Sequence, residues 1–131
     1  IGLGIPAEPL FRSRTLESAG RIFFCAYDRN RPVGFLYLKE TGNATVELYF
    51  MGIRKEYHRQ GIGRLLFRQA REAAAGAGYA FMQVKTVQMG KYEEYDRTNR
   101  FYLALGFRDF EVFPTLWGEE NPCQVYVMSL E

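Results

Sequence analysis

Long apolar runs are missing from this chain of 131 residues. No stretch approaches the roughly 18–20 residues that a bilayer-spanning helix needs, which argues against a membrane protein. Cysteine is scarce. Cys25 and Cys123 stand far apart, with no Cys-x-x-Cys and no metal-ligand spacing, so they read as reduced thiols of a cytoplasmic protein and no metal is expected. Histidine is scarcer still, and without a neighbouring His to activate it Cys123 makes a poor nucleophile. The net charge of +2 is too small to argue for nucleic acid. Repeats, linkers and low-complexity segments are absent too. So is an initial Met: the chain opens on Ile1 without a signal-peptide pattern, and its length is read as a lower bound.

What is present is a core. Hydrophobic residues make up 47% of the chain and aromatics include 11 Phe and 9 Tyr, which excludes a disordered segment and suits a single domain over 1–131. Charge is unevenly spread. Six basic residues against one acid lie between Arg54 and Arg71, whereas Asp109 to Glu131 holds five acids and no Lys or Arg. A basic middle suits an anionic ligand, although solvated faces produce the same runs.

Residues 1–20, with Gly2, Gly4, Pro6 and Pro9, suggest no definite element. Arg21 to Tyr27, Val33 to Lys39 and Ala44 to Ile53 read as three strands joined by hairpin turns at Asn30–Pro32 and Thr41–Asn43. The period then changes. Ile62, Leu66, Ala70 and Ala74 recur at helical spacing between Gly61 and Ala75, with Arg64, Arg68, Arg71 and Glu72 on the wet side. A strand from Ala80 to Val87 follows, so strand–helix–strand implies a parallel pair with a crossover. A helix from about Asp96 to Leu105 closes at Gly106. Strands at Phe107–Phe113 and Gln124–Ser129 flank a loop holding Trp117, Glu119 and Glu120. That loop reads either as a solvent loop or as a wall of an acceptor pocket. The class is α+β on a mixed, mostly antiparallel sheet.

The most informative segment is His58-Arg59-Gln60-Gly61-Ile62-Gly63-Arg64, between a strand and the long helix. A helix start offers free N–H groups and partial positive charge, and glycines let backbone approach a phosphate. A Rossmann fingerprint fails because Leu66 stands where its third glycine belongs, and a P-loop fails for want of Gly-Lys-Ser/Thr.

Together with the preceding Val46-Glu47-Leu48-Tyr49-Phe50-Met51-Gly52-Ile53, this turn resembles the acyl-CoA-binding core of the GNAT superfamily of N-acetyltransferases. Asn99-Arg100-Phe101-Tyr102-Leu103-Ala104-Leu105-Gly106-Phe107 resembles the family's later motif. The likeness runs from about Arg21 to the C-terminus. It departs at His58, where Arg or Gln is usual, and at Tyr95 and Thr98, where Asn and Ala are common. It implies the family's flanked sheet, here without the N-terminal first strand.

The resemblance further implies acetyl-CoA as co-substrate and a small-molecule or peptide amine as acceptor. Its pyrophosphate would rest on backbone N–H groups of Arg59, Gln60, Gly61, Ile62, Gly63 and Arg64, and its pantetheine arm on Met51, Gly52 and Ile53. Gly52 suits a bulge that opens the sheet. Glu47 occupies a general-base position, and strand alternation would put it on one face with Met51 and Ile53. It is equally the polar partner in a half-exposed strand. Tyr102 occupies the general-acid position, where a phenol of reference pKa near 10 would protonate the departing thiolate, or else it is core packing. Direct transfer in a ternary complex is the implied route. The alternative is a non-catalytic acyl-CoA sensor of the same fold. Homodimers are common in the family.

Overall fold

Alternating apolar residues and tight turns make the first half of the chain a meander. The computed structural model describes residues 11–131, and in it β1 (Arg12–Ser18), β2 (Arg21–Asp28), β3 (Arg31–Gly42) and β4 (Thr45–Ile53) pair antiparallel in sequence order. The helix α1 (Ile62–Gly76) then crosses over to β5 (Phe81–Val87), which lies parallel to β4. After α2 (Glu93–Leu105), β6 (Arg108–Phe113) forms the far edge, and β7 (Cys123–Ser129) inserts between β5 and β6. The sheet order is β1-β2-β3-β4-β5-β7-β6.

A strand precedes Arg21 after all. β1 joins β2 through Ala19 and Gly20, at φ +48° and +75°, a turn whose twist suits a two-residue hairpin. Its sequence, RSRTLES, has no apolar alternation because it is an exposed edge strand, so the usual strand signal is missing. Gly2, Gly4, Pro6 and Pro9 fall outside the described residues. Pro32 is not a turn residue either. It lies within β3 opposite Tyr27, where a register shift tolerates a residue with no N–H to donate.

Both helices pack on one face of the sheet. Leu66, Phe67, Ala70 and Ala74 of α1 join Phe24, Leu36 and Leu48 in the buried core, which also takes Tyr102 of α2 and Tyr126 of β7. Gly63 fixes the distance between the helices: a Cβ there would stand 3.1 Å from the ring of Phe101. The other face has no helix among the described residues and carries aromatics instead. Phe23 stacks on Tyr37 at 4.4 Å and Phe35 on Phe50 at 5.3 Å.

Candidate active site

The sheet comes apart at one place. β4 and β5 pair only through Thr45–Phe81, Val46–Met82 and Glu47–Gln83, although β4 continues to Ile53 and β5 to Val87. Beyond Glu47 the two strands diverge, and each leaves backbone groups facing the gap without a strand partner. The gap opens into a cleft of about 420 Å³. Met51, Thr98 and Tyr102 line it, together with Tyr49, Phe50 and Lys85, and the opening passes from the helix side towards the bare face.

A bulge accompanies the divergence, but not at Gly52. Tyr37 pairs with Phe50 and Leu38 with Leu48, so Tyr49 is the extra residue. Gly52 pairs regularly with Phe35, and its lack of a side chain makes room for that ring, which would stand 3.1 Å from a Cβ. The bulge also corrects the expected alternation. Met51 and Ile53 pack against the core with Leu48 and Val46, so Glu47 shares its face with Phe50 and Gly52. One inserted residue reverses the phase of everything after it.

Glu47 is buried, and its Oε1 accepts from Lys85 Nζ at 3.2 Å. Lys85 reaches it from β5, two residues past the last rung of the ladder. The sequence reading missed Lys85. Its signal is the alternation of Gln83 and Lys85 with apolar Met82 and Val84, but only the β4–β5 register puts that polar face beside Glu47. Burial pushes the nearby Cys123 thiol up, consistent with a protonated, unreactive cysteine.

Tyr102 lines the cleft, as Lys85 does, whereas Glu47 is not part of its lining and meets it through Lys85. The Tyr102 ring packs edge-on against Phe107 at 5.9 Å, and burial raises its pKa to about 12. Asn99, one turn earlier and fully buried, holds the helix in place. Its Nδ2 donates to the carbonyls of Val87, at 2.8 Å, and Tyr95, at 2.6 Å, while Oδ1 accepts from Tyr126 Oη at 2.5 Å. One side chain thereby ties α2 to the end of β5 and to β7. Trp117 and Asn121, from the β6–β7 loop, also line the cleft, whereas Glu119 and Glu120 are exposed. The backbone N–H of Gln88 donates to Pro122 at 2.9 Å and ties that loop to the end of β5.

The glycine turn begins α1. Its first helical bond runs from Leu65 N–H to Gly61 C=O at 3.0 Å, which leaves the amides of Ile62, Gly63 and Arg64 without intrahelical partners. No side chain caps this end and its first turn holds no acid. Arg59 and Gly61 adopt φ +63° and +82°, left-handed conformations of the kind that build anion-binding backbone nests. A Cβ on Gly61 would meet open space, so that glycine serves backbone conformation alone. Gly63 serves the packing of Phe101, and Ile62 is buried beneath Gly34. Arg59 and Arg64 are exposed and form no ion pair among the described residues. His58 belongs to the turn itself: its Nε2–H donates to the Ile53 carbonyl at 2.9 Å. These donors and cations fit a phosphorylated ligand, and the unpaired edge of β4 leads from them to the cleft.

Comparisons with known proteins agree with this fold. The chain has no significant sequence match among curated proteins. Among solved structures it is similar to a GNAT-family protein from Desulfovibrio desulfuricans, with a TM-score of 0.79 at 19% identity over 86% of this chain and 71% of that one. A protein from Bacillus anthracis assigned as a streptothricin acetyltransferase and solved with acetyl coenzyme A gives 0.77 at 18% identity, over 88% and 66%. An aminoglycoside 6'-N-acetyltransferase complexed with coenzyme A gives 0.73 at 18%, over 87% and 75%. The family model described as an acetyltransferase (GNAT) domain matches residues 19–109, from the β1–β2 turn through the glycine turn and the helix of Tyr102, and the chain belongs to that family.

Proposed function

We propose that the protein transfers an acetyl group from acetyl-CoA directly to a primary amine, with donor and acceptor bound together. The observation that carries this reading is the cleft where β4 and β5 part, lined by Tyr102 and by Lys85, which in turn reaches the buried Glu47. The backbone N–H groups of Arg59 to Arg64 hold the pyrophosphate, and the edge of β4 at Met51, Gly52 and Ile53, past the last rung to β5, holds the pantetheine arm, with the Ile53 carbonyl already taken by His58. Glu47 takes the proton that the acceptor nitrogen must lose. A backbone N–H beside the bulge stabilises the developing oxyanion.

Tyr102 faces the departing sulfur. With its pKa raised to about 12, the phenol stays protonated through the neutral range. Complete transfer to a thiolate of ordinary pKa near 8.5 runs uphill by roughly 3.5 units, about 5 kcal/mol. Its contribution is therefore a hydrogen bond to the growing negative charge, with the proton following as the bond to carbon breaks. Similar structures named for aminoglycoside and streptothricin acceptors set small-molecule amines beside peptide amines for a screen.

The test is thiol release from acetyl-CoA across an amine panel. Tyr102→Phe is expected to lower kcat by about 10²-fold while the donor KM moves far less. Unchanged turnover removes the role of Tyr102. Acetyl-CoA binding by calorimetry with no release from any amine would instead identify a CoA-binding sensor.

A further inference from the structure

The reaction proposed above gives no role of its own to the cleft's one lysine. Of the chain's four lysines, Lys85 alone lines the opening between β4 and β5. Its side chain is about one-third exposed, whereas the Glu47 carboxylate that it meets at 3.2 Å is almost wholly buried. Lys85 shares a face with Gln83 and, across the last rung, with Glu47. A primary amine thus stands in the cleft within hydrogen-bonding reach of a carboxylate, which is the geometry a base requires to deprotonate a nucleophile.

No other lysine has these surroundings. Lys39 Nζ stands over the Tyr49 ring at 4.9 Å, Lys55 is exposed at the start of a short 3-10 helix, and Lys91 is exposed at a bend. Among the described residues, none of these three pairs with a carboxylate.

We propose that Lys85 is an acceptor built into the chain, so that the protein acetylates its own Lys85 Nζ. This rests on the acetyl-transfer reading above. Glu47 takes a proton from the ammonium, and the freed nitrogen lone pair attacks the thioester carbonyl carbon. The C–N bond forms and the C–S bond breaks. The ammonium loses two protons in all: one ends on the departing sulfur and the other passes through Glu47 to solvent. The products are an amide on Lys85 and free thiol. A side chain held by the strand needs no encounter step, so the rate does not depend on protein concentration. The product no longer presents a cation to Glu47, and self-acetylation therefore changes the charge of the acceptor side of the cleft.

The experiment incubates the full chain with acetyl-CoA and follows acetylation of each lysine by peptide mass spectrometry. Lys85 is expected to be labelled at least about tenfold faster than Lys39, Lys55 and Lys91, which report chemical acetylation, and at a rate independent of protein concentration. Glu47→Gln is expected to slow Lys85 by about 10²-fold and leave the other three unchanged. Labelling of Lys85 no faster than the others, or at a rate rising with protein concentration, overturns the proposal. Calorimetry with acetyl-CoA on Lys85→Arg separates the two readings. Binding by that variant, alongside unlabelled Lys85 in the wild type, defeats self-acetylation and leaves the donor site standing. Loss of binding in both proteins defeats both.

Discussion

At the scale of single residues, the proposed transfer places opposite requirements on Tyr102, which lines the cleft, and on Glu47, which reaches it through Lys85. Tyr102 must keep its proton, and burial among Phe107 and Tyr126 does this by disfavouring the phenolate. In that proposal Glu47 receives one, and its Oε1 lies 3.2 Å from Lys85 Nζ. The pH–rate profile separates these roles. Turnover falls on the acidic side as the base is protonated, and Tyr102, with its pKa raised to about 12, contributes no alkaline loss through about pH 10. Glu47→Gln is expected to lower turnover by about 10²-fold and to abolish the acidic limb. A variant that keeps the limb assigns the base elsewhere. Both residues are legible in the sequence because they sit in motifs. Lys85 is not, since its meaning depends on a partner 38 positions away that only the strand register supplies.

At the scale of elements, the crossover from β4 through α1 to β5 does two things at once. It makes the parallel pair that splits, and it aims an uncapped helix start at the end of the split. The strand–helix–strand order is legible because the period changes from two to about 3.6 at Gly61. The bulge is hidden: nothing in the sequence marks Tyr49 as extra, because a bulge is defined by the partner strand. A glycine three residues later attracts attention for a different reason, the ring of Phe35 above it.

The glycine turn itself divides by function. Gly61 holds φ +82° with open space where a Cβ would be, so Gly61→Ala adds backbone strain without a clash, about 1–2 kcal/mol. Gly61→Ala is expected to raise the donor KM, since the first-turn amides reorient, and to lower the denaturation midpoint. Asn, which tolerates the left-handed region, is expected to restore much of both in Gly61→Asn. A Gly61→Ala variant with unchanged stability and KM would mean that the turn relaxes freely and that its amides do not hold the donor.

At the scale of the whole molecule, the arrangement is asymmetric. Both helices cover one face, the aromatic face opposite carries none among the described residues, and the cleft joins the two. An opening through a sheet admits two reactants from opposite sides, which is what direct transfer in a ternary complex requires. Charge is divided as well. The chain carries only +2 overall, yet its positive run includes the glycine turn and its negative run the β6–β7 strands and loop. Several of the basic residues are otherwise engaged: Arg54 Nε donates to the Pro32 carbonyl at 2.8 Å, and Arg68 and Arg71 lie beyond the first turn of α1. Arg59 and Arg64 are left exposed beside the free amides. Cations in that position attract a pyrophosphate through solvent, and salt screens such attraction over about 10 Å at 0.1 M. The donor KM is therefore expected to rise with ionic strength while kcat changes little. Replacing both residues, Arg59→Ala with Arg64→Ala, is expected to raise the donor KM by about tenfold, the equivalent of about 1.4 kcal/mol, and to flatten its salt dependence. If wild type and double variant respond to salt alike, the pyrophosphate is held by the backbone amides alone, and the positive run is a solvated face.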